Sequence, residues 1–190
     1  MKAMTKRVAV VVGTAFIVAL VAAVLLPSLG KPSEAAQRLR CQANLRQIVQ
    51  ACRAYAQASG GAYPQRLSQA LAVGNLDPSV AICPNEEVRA KGKVIAVASV
   101  DGRSDYRYFG AGLDQTATEK MLLLVEKEGR HPARANESTD GAHVVYIDGT
   151  IELIEADALS ALLAQAAEAR HRWEWEHRRA VYTPAAQGKP

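Results

Sequence analysis

Residues Val8 to Leu29 read VAVVVGTAFIVALVAAVLLPSL, an uncharged apolar run of about 22 residues. Crossing the hydrocarbon of a bilayer takes roughly 20 such residues in a helix. Lys2, Lys6 and Arg7 precede the run, and Lys31, Glu34, Arg38 and Arg40 follow it. A helix retained here makes everything downstream a tethered, water-facing domain. The competing reading is a secretory signal peptide. Such peptides carry an apolar core of roughly 7 to 15 residues and a small-x-small cleavage site. Pro27-Ser28-Leu29-Gly30-Lys31-Pro32 contains no clean Ala-x-Ala, and the run is too long. The sequence therefore predicts a stub over residues 1–7 and a transmembrane helix over residues 8–29. Short basic flanks stay on the cytoplasmic side, which puts the N-terminus inside and residues 33–190 outside the membrane.

Working outward, about 160 residues remain, enough for one modest domain. The net charge is +4 and the pI near 9.0. That excess is mild and scattered, with no basic patch interleaved with aromatics, so nucleic acid is not a predicted partner.

From Ser33 to Ala58 the pattern is helical. Cys41, Leu45, Ile48, Val49, Cys52, Tyr55 and Ala56 recur at three- and four-residue steps, and Arg38, Gln42, Arg46, Gln50 and Arg53 fall mainly elsewhere. Pro32 suits a first helical turn, and Gly60-Gly61 suits the position just past the last one. A kink or interruption is predicted between Pro27 and Pro32. Cys41 and Cys52 would lie about 16 Å apart along this helix at 1.5 Å per residue. A disulfide needs Cα atoms within about 7 Å. Cys83, in a loop-like Ile-Cys-Pro-Asn context, is left as a disulfide partner for either Cys52 or Cys41. Alternatively, the helical cysteines are simply small apolar core residues. No Cys-x-x-Cys occurs, so neither a redox motif nor a structural zinc site is indicated.

The middle reads as an extended segment from Tyr63-Pro64, a short helix over Leu67–Ala72 and a loop over Asn75–Asn85. Short runs with strand character follow at Val94–Val100, Tyr106–Phe109, Met121–Val125, Val144–Ile147 and Ile151–Ile154. Asp148-Gly149 separates the last two, a strong hairpin signal that predicts a type I′ turn with positive φ at both residues. A final helix is predicted over residues 156–180 and a disordered tail over 181–190. Trp173 and Trp175 are two residues apart and cannot share a helical face. A helix first and several antiparallel strands later make the predicted fold class α+β.

Candidate chemistry is sparse. His131, Asp140, His143 and Asp148 cluster in sequence, but their spacing matches no zinc-binding motif. Asp148 is explained by the turn, His143 begins a strand, and His131 precedes a proline. Asp101, Asp105 and Asp114 sit among glycines and leave a loop calcium site open, with no recognisable ligand set. No Gly-x-Ser-x-Gly elbow or phosphate-cradling loop occurs, and Gly110-Ala111-Gly112 is too short to serve. Cys83 as a nucleophile would need a neighbouring histidine. The sequence predicts no enzyme, no resident metal and no cofactor.

Several features in their order resemble a family. An apolar anchor ending in Leu25-Leu26-Pro27-Ser28-Leu29 leads into Cys41-Gln42-Ala43-Asn44-Leu45-Arg46-Gln47-Ile48. Tyr55, the glycine pair, Tyr63-Pro64, Cys83-Pro84, Tyr106-Arg107-Tyr108, a strand ending in Glu126, His131, and His143 to Ile151 with its Asp-Gly follow. The order is similar to bacterial type IV pilin-like proteins and type II secretion pseudopilins, over roughly residues 8 to 155. The resemblance implies a long N-terminal helix whose outer half packs on a small antiparallel sheet, through Leu45, Ile48, Val49, Cys52 and Tyr55. It implies a single-pass protein of the inner (cytoplasmic) membrane with a structural or protein-interaction role in the cell envelope. Its partners would be the lipid bilayer and other envelope or secretion-system proteins, with a homo-oligomer left open. One departure matters. Such chains usually begin Gly-Phe-Thr-Leu-(Ile/Val)-Glu, with cleavage after the glycine. Counting back from Pro27 puts the cut near Thr5 and Lys6 and the glutamate near Val10, and none of these fits. A permanently anchored monomer is therefore the form expected. The rival in another class is an extracytoplasmic metal-binding module or hydrolase using the His131/His143 region.

Overall fold

The computed structural model describes residues 13–21, 34–84, 96–117, 120–127 and 141–182. Residues 13–21 are helical, with Phe16, Ile17 and Leu20 exposed, and belong to a unit covering Met1–Ser33. Glu34–Pro190 is a second unit. Among the described residues no helix is long and apolar enough to cross a membrane. The stub 1–7, most of the 8–29 run and the Pro27–Pro32 interruption lie outside the described residues. So do Thr183 to Pro190 of the tail.

Helix α1 (Glu34–Ala58) buries Cys41, Leu45, Ile48, Val49, Cys52 and Ala56, a stripe at three- and four-residue steps, while Arg46, Gln50 and Arg53 face solvent. Tyr55, on the flank of the stripe, is only half-buried. The helix stops at two glycines with positive φ, and the Gly61 N–H donates back to Ala56 O at 2.8 Å. A left-handed residue there satisfies an orphaned end carbonyl. Any Cβ at Gly61 would sit 2.8 Å from the Gln115 side chain. Helix α2 (Leu67–Val73) packs on α1 through Leu67, Ala70 and Leu71. The predicted loop after it contains a 3₁₀ turn, Pro78–Ala81, capped by Asp77, whose carboxylate accepts from Ser79 N at 2.8 Å.

The run Val94–Val100 does not form a strand where it is described. Val97–Ser99 is a 3₁₀ turn leading into helix α3 (Val100–Arg103). The Asp101 carboxylate accepts from Ser68 N and Ser68 Oγ at 3.0 and 2.6 Å, tying this segment to α2. Only Val100 is buried there, so a short apolar run contributes one anchor and no sheet face.

Four strands form one antiparallel meander in the order β1 (Tyr106–Tyr108), β2 (Leu122–Glu126), β3 (Gly141–Tyr146) and β4 (Ile151–Glu155). With four antiparallel strands and helices before and after them, the domain is α+β. Side chains alternate faces along a strand. Leu124 and Val145 join the α1 core, whereas Val125, Ala142 and Val144 join a second cluster with Leu159. Leu159 lies on α4 (Ala156–Tyr182), whose Leu162, Leu163 and Ala166 pack against the same cluster. The sheet is thus covered by α1 on one face and α4 on the other, which explains why β2 is buried at every position. Arg170 fastens α4, donating to Phe109 O at 2.5 Å and to Ala111 O. Trp173 packs against the α1-side core and stacks on His177, and Trp175 on the other face is 57% exposed.

The β3–β4 turn differs from a type I′ hairpin. Tyr146 N–H donates to Thr150 O, enclosing three residues, and only Gly149 has positive φ (+85°). This is the three-residue form, in which a type I turn is followed by one left-handed residue. Ile147 is drawn into the core and takes up the extra position. The Asp148 carboxylate accepts from Thr150 N and Thr150 Oγ, both at 2.8 Å.

Candidate functional site

The α1-facing side of the sheet carries a row of polar side chains that runs from the start of β1 through the end of β2 to β3. Antiparallel register places Tyr106 of β1 opposite Glu126 of β2. One step beyond the Val125–Val144 pair, Glu126 lies opposite His143 of β3. Cys41, the first cysteine of the buried α1 stripe, closes the cluster from the helix. Cys41, Tyr106, Glu126 and His143 are all at most 3% exposed.

Glu126 is the hub. Its Oε1 accepts from the Cys41 thiol at 3.1 Å. Its Oε2 accepts the His143 backbone N–H at 3.1 Å and lies 2.7 Å from His143 Nδ1. The far ring nitrogen of His143 is 3.4 Å from Gln42 Nε2. The Tyr106 hydroxyl is 3.1 Å from Cys41 Sγ. Buried polar groups are costly unless hydrogen-bonded, and this network meets that demand from within.

Electrostatics keep the Cys41 thiol and the Tyr106 hydroxyl protonated. Hydrogen bonding to Cys83, then burial, then the Glu126 charge push the Cys41 thiol well above its ordinary range. Burial, then Cys41, raises the Tyr106 hydroxyl. A thiol held in that state is a poor nucleophile, because the thiolate is the reactive form. In atom types, the sulfur, carboxylate oxygen and imidazole nitrogen of Cys41, Glu126 and His143 are suitable zinc ligands. They lie within 4.8 Å of one another, the one such group among the described residues.

Of the residues singled out from sequence, Cys41 and Cys83 are brought together: the Cys83 N–H donates to Asp105, next to Tyr106, whose hydroxyl is 3.1 Å from Cys41 Sγ. All three cysteines are buried and none is bridged. Cys52 lies elsewhere, in contact with Tyr108, and burial pushes its thiol up to about 12. His143 joins the network, while His131 and Asp140 lie outside the described residues. Asp148 and Gly149 form the turn. Asp101, Asp105 and Asp114 do not converge: they bind Ser68, the Cys83 amide and Thr116 respectively. Glu126 and Tyr106 were not visible as site residues. The available signal was one glutamate closing an otherwise apolar strand.

No protein-family model, curated protein or solved structure matches this chain. Function therefore rests on the residues themselves.

Proposed function

We propose that the chain is a single-pass, membrane-anchored, pilin-like or pseudopilin-like protein of the cell envelope, acting structurally or through protein–protein contacts. The supporting observation is the direct succession of two elements. The apolar run ends at Leu29, and α1 begins at Glu34 to provide the helix on which the antiparallel sheet is laid. At 1.5 Å per residue, 22 helical residues reach about 33 Å, matching a hydrocarbon core of roughly 30 Å. The N-terminus then stays inside, and the α+β domain works outside the inner membrane. Its partners are the bilayer and other envelope or secretion proteins, with a homo-oligomer left open. The buried, internally hydrogen-bonded network around Glu126 fits a structural part better than a catalytic one.

Cell fractionation with mass measurement of the mature N-terminus tests this reading. Full-length chain in the membrane fraction agrees with a permanent anchor. A new terminus near Lys6 would return the protein to filament assembly, one beyond Leu29 would mean a released domain, and full-length chain in the cytosol would overturn the proposal. The Cys41/Glu126/His143 group favours one second reading, a metal-binding module. That reading requires melting to rise with added zinc and fall with a chelator.

A further inference from the structure

Cys41 and Cys83 are held together by contacts on both sides of the pair. Asn44, one turn beyond Cys41 on α1, donates its side-chain amide to Ile82 O at 3.4 Å. The Cys83 N–H donates to Asp105 Oδ2 at 2.9 Å. Asp105 immediately precedes Tyr106, whose hydroxyl reaches Cys41 Sγ at 3.1 Å. Both cysteines are fully buried. Cys52 lies three turns further along α1 and faces Tyr108. This removes the ambiguity that the sequence left over the partner of Cys83.

We propose that Cys41 and Cys83 form a disulfide as the domain folds outside the cytoplasm, leaving Cys52 as the one thiol. The inference rests on the envelope placement proposed above, because oxidising conditions are found outside the cytoplasm. The oxidant is a disulfide, R–S–S–R, on another protein or a small molecule. One cysteine thiolate attacks a sulfur of the oxidant and expels R–S⁻, giving a mixed disulfide. The second thiolate then attacks the sulfur of the first cysteine, forming the Cys41–Cys83 bond and expelling another R–S⁻. The two cysteine protons end on the two R–S groups, and two electrons pass to the oxidant. Both sulfurs are enclosed in the finished fold, so the exchange belongs to folding, before the core closes. The bond would pin the segment after the 3₁₀ turn to α1 across 42 positions of sequence. It thereby removes loop-closure entropy from the unfolded chain.

The test refolds the full-length chain in detergent with oxidised glutathione, blocks thiols under denaturing conditions and maps peptides by mass spectrometry. A linked Cys41–Cys83 peptide with Cys52 blocked is expected. Three blocked cysteines, any link through Cys52, or stoichiometric zinc retained by the reduced chain would overturn the pairing. Reductant should lower the melting temperature of the oxidised protein by on the order of 10 °C and leave Cys83→Ala unaffected. An equal response in Cys83→Ala would count against the bond. Protein trapped directly from cells separates the two proposals. A linked pair supports both, whereas thiols in cells that link in glutathione leave the pairing standing and overturn the placement outside.

Discussion

Glu126 carries the interior network, since both its oxygens accept hydrogen bonds where water does not reach. Removing a shared acceptor leaves its donors unpaired, and each orphan costs roughly 1–3 kcal/mol. Glu126→Ala should therefore lose about 2–4 kcal/mol in urea unfolding, and Glu126→Gln, which keeps an acceptor, distinctly less. Equal stability of Glu126→Ala and the parent would remove the structural role assigned here. Cys52 sets an alkaline limit. Burial pushes its thiol from the ordinary 9.0 up to about 12, so the folded state holds that proton more tightly than the unfolded state. Its contribution to stability is complete below pH 9.0 and is lost as pH rises towards 12. Tyr106 and Tyr108 are raised as well, chiefly by burial, and act in the same direction. Cys52→Ala should thus flatten, without abolishing, the fall in stability measured between those two pH values. The burial of Cys52 was legible from the apolar stripe, but the Glu126 network was not legible residue by residue. A glutamate after Leu122-Leu123-Leu124-Val125 looks like a solvated strand end until pairing sets it between Tyr106 and His143.

At the scale of elements, α1 was readable because its apolar residues repeat with the helical period. Leu45 is fully buried in the α1–sheet core. Leu45→Ala should cost about 2–5 kcal/mol by thermal or urea unfolding, and Tyr55→Ala, at a half-buried position, much less. The position of the hairpin was legible from Asp148-Gly149, but its type was not. Turn class depends on where the flanking strands stop pairing, and burial of Ile147 decides that. Gly149 alone holds positive φ, so Gly149→Ala should destabilise by roughly 1–2 kcal/mol. Asp148→Gly should cost less, having only the bonds to Thr150 to lose. A reversed order of the two would return the turn to the two-residue class. Val97 to Arg103 turned helical for a related reason. The residues immediately around it carry too little pattern, and Asp101 pairs with Ser68, 33 positions away.

At the scale of the whole domain, two helices cover the two faces of one sheet. Arg170 joins the outer helix α4 to the loop after β1 through Phe109 O and Ala111 O. Arg170→Ala should loosen α4 selectively. Amide exchange over Ala156–Tyr182 should rise while α1 and β2 stay protected, at a cost of about 1–3 kcal/mol. Uniform exchange across the domain would mean that α4 and the sheet open as one unit.

Local periodicity was sufficient for the α+β class, for α1, α2 and α4 and for the approximate places of four strands. Helix and strand repeats are properties of neighbouring residues, so they survive in the linear text. Three outcomes required the folded chain: the row joining Tyr106, Glu126 and His143, the meeting of Cys83 with Cys41 rather than Cys52, and the burial of β2 on both faces. Each depends on residues far apart in sequence brought together by strand register and by the closing of helices over the sheet, and a one-residue shift of register would turn Glu126 to the opposite face.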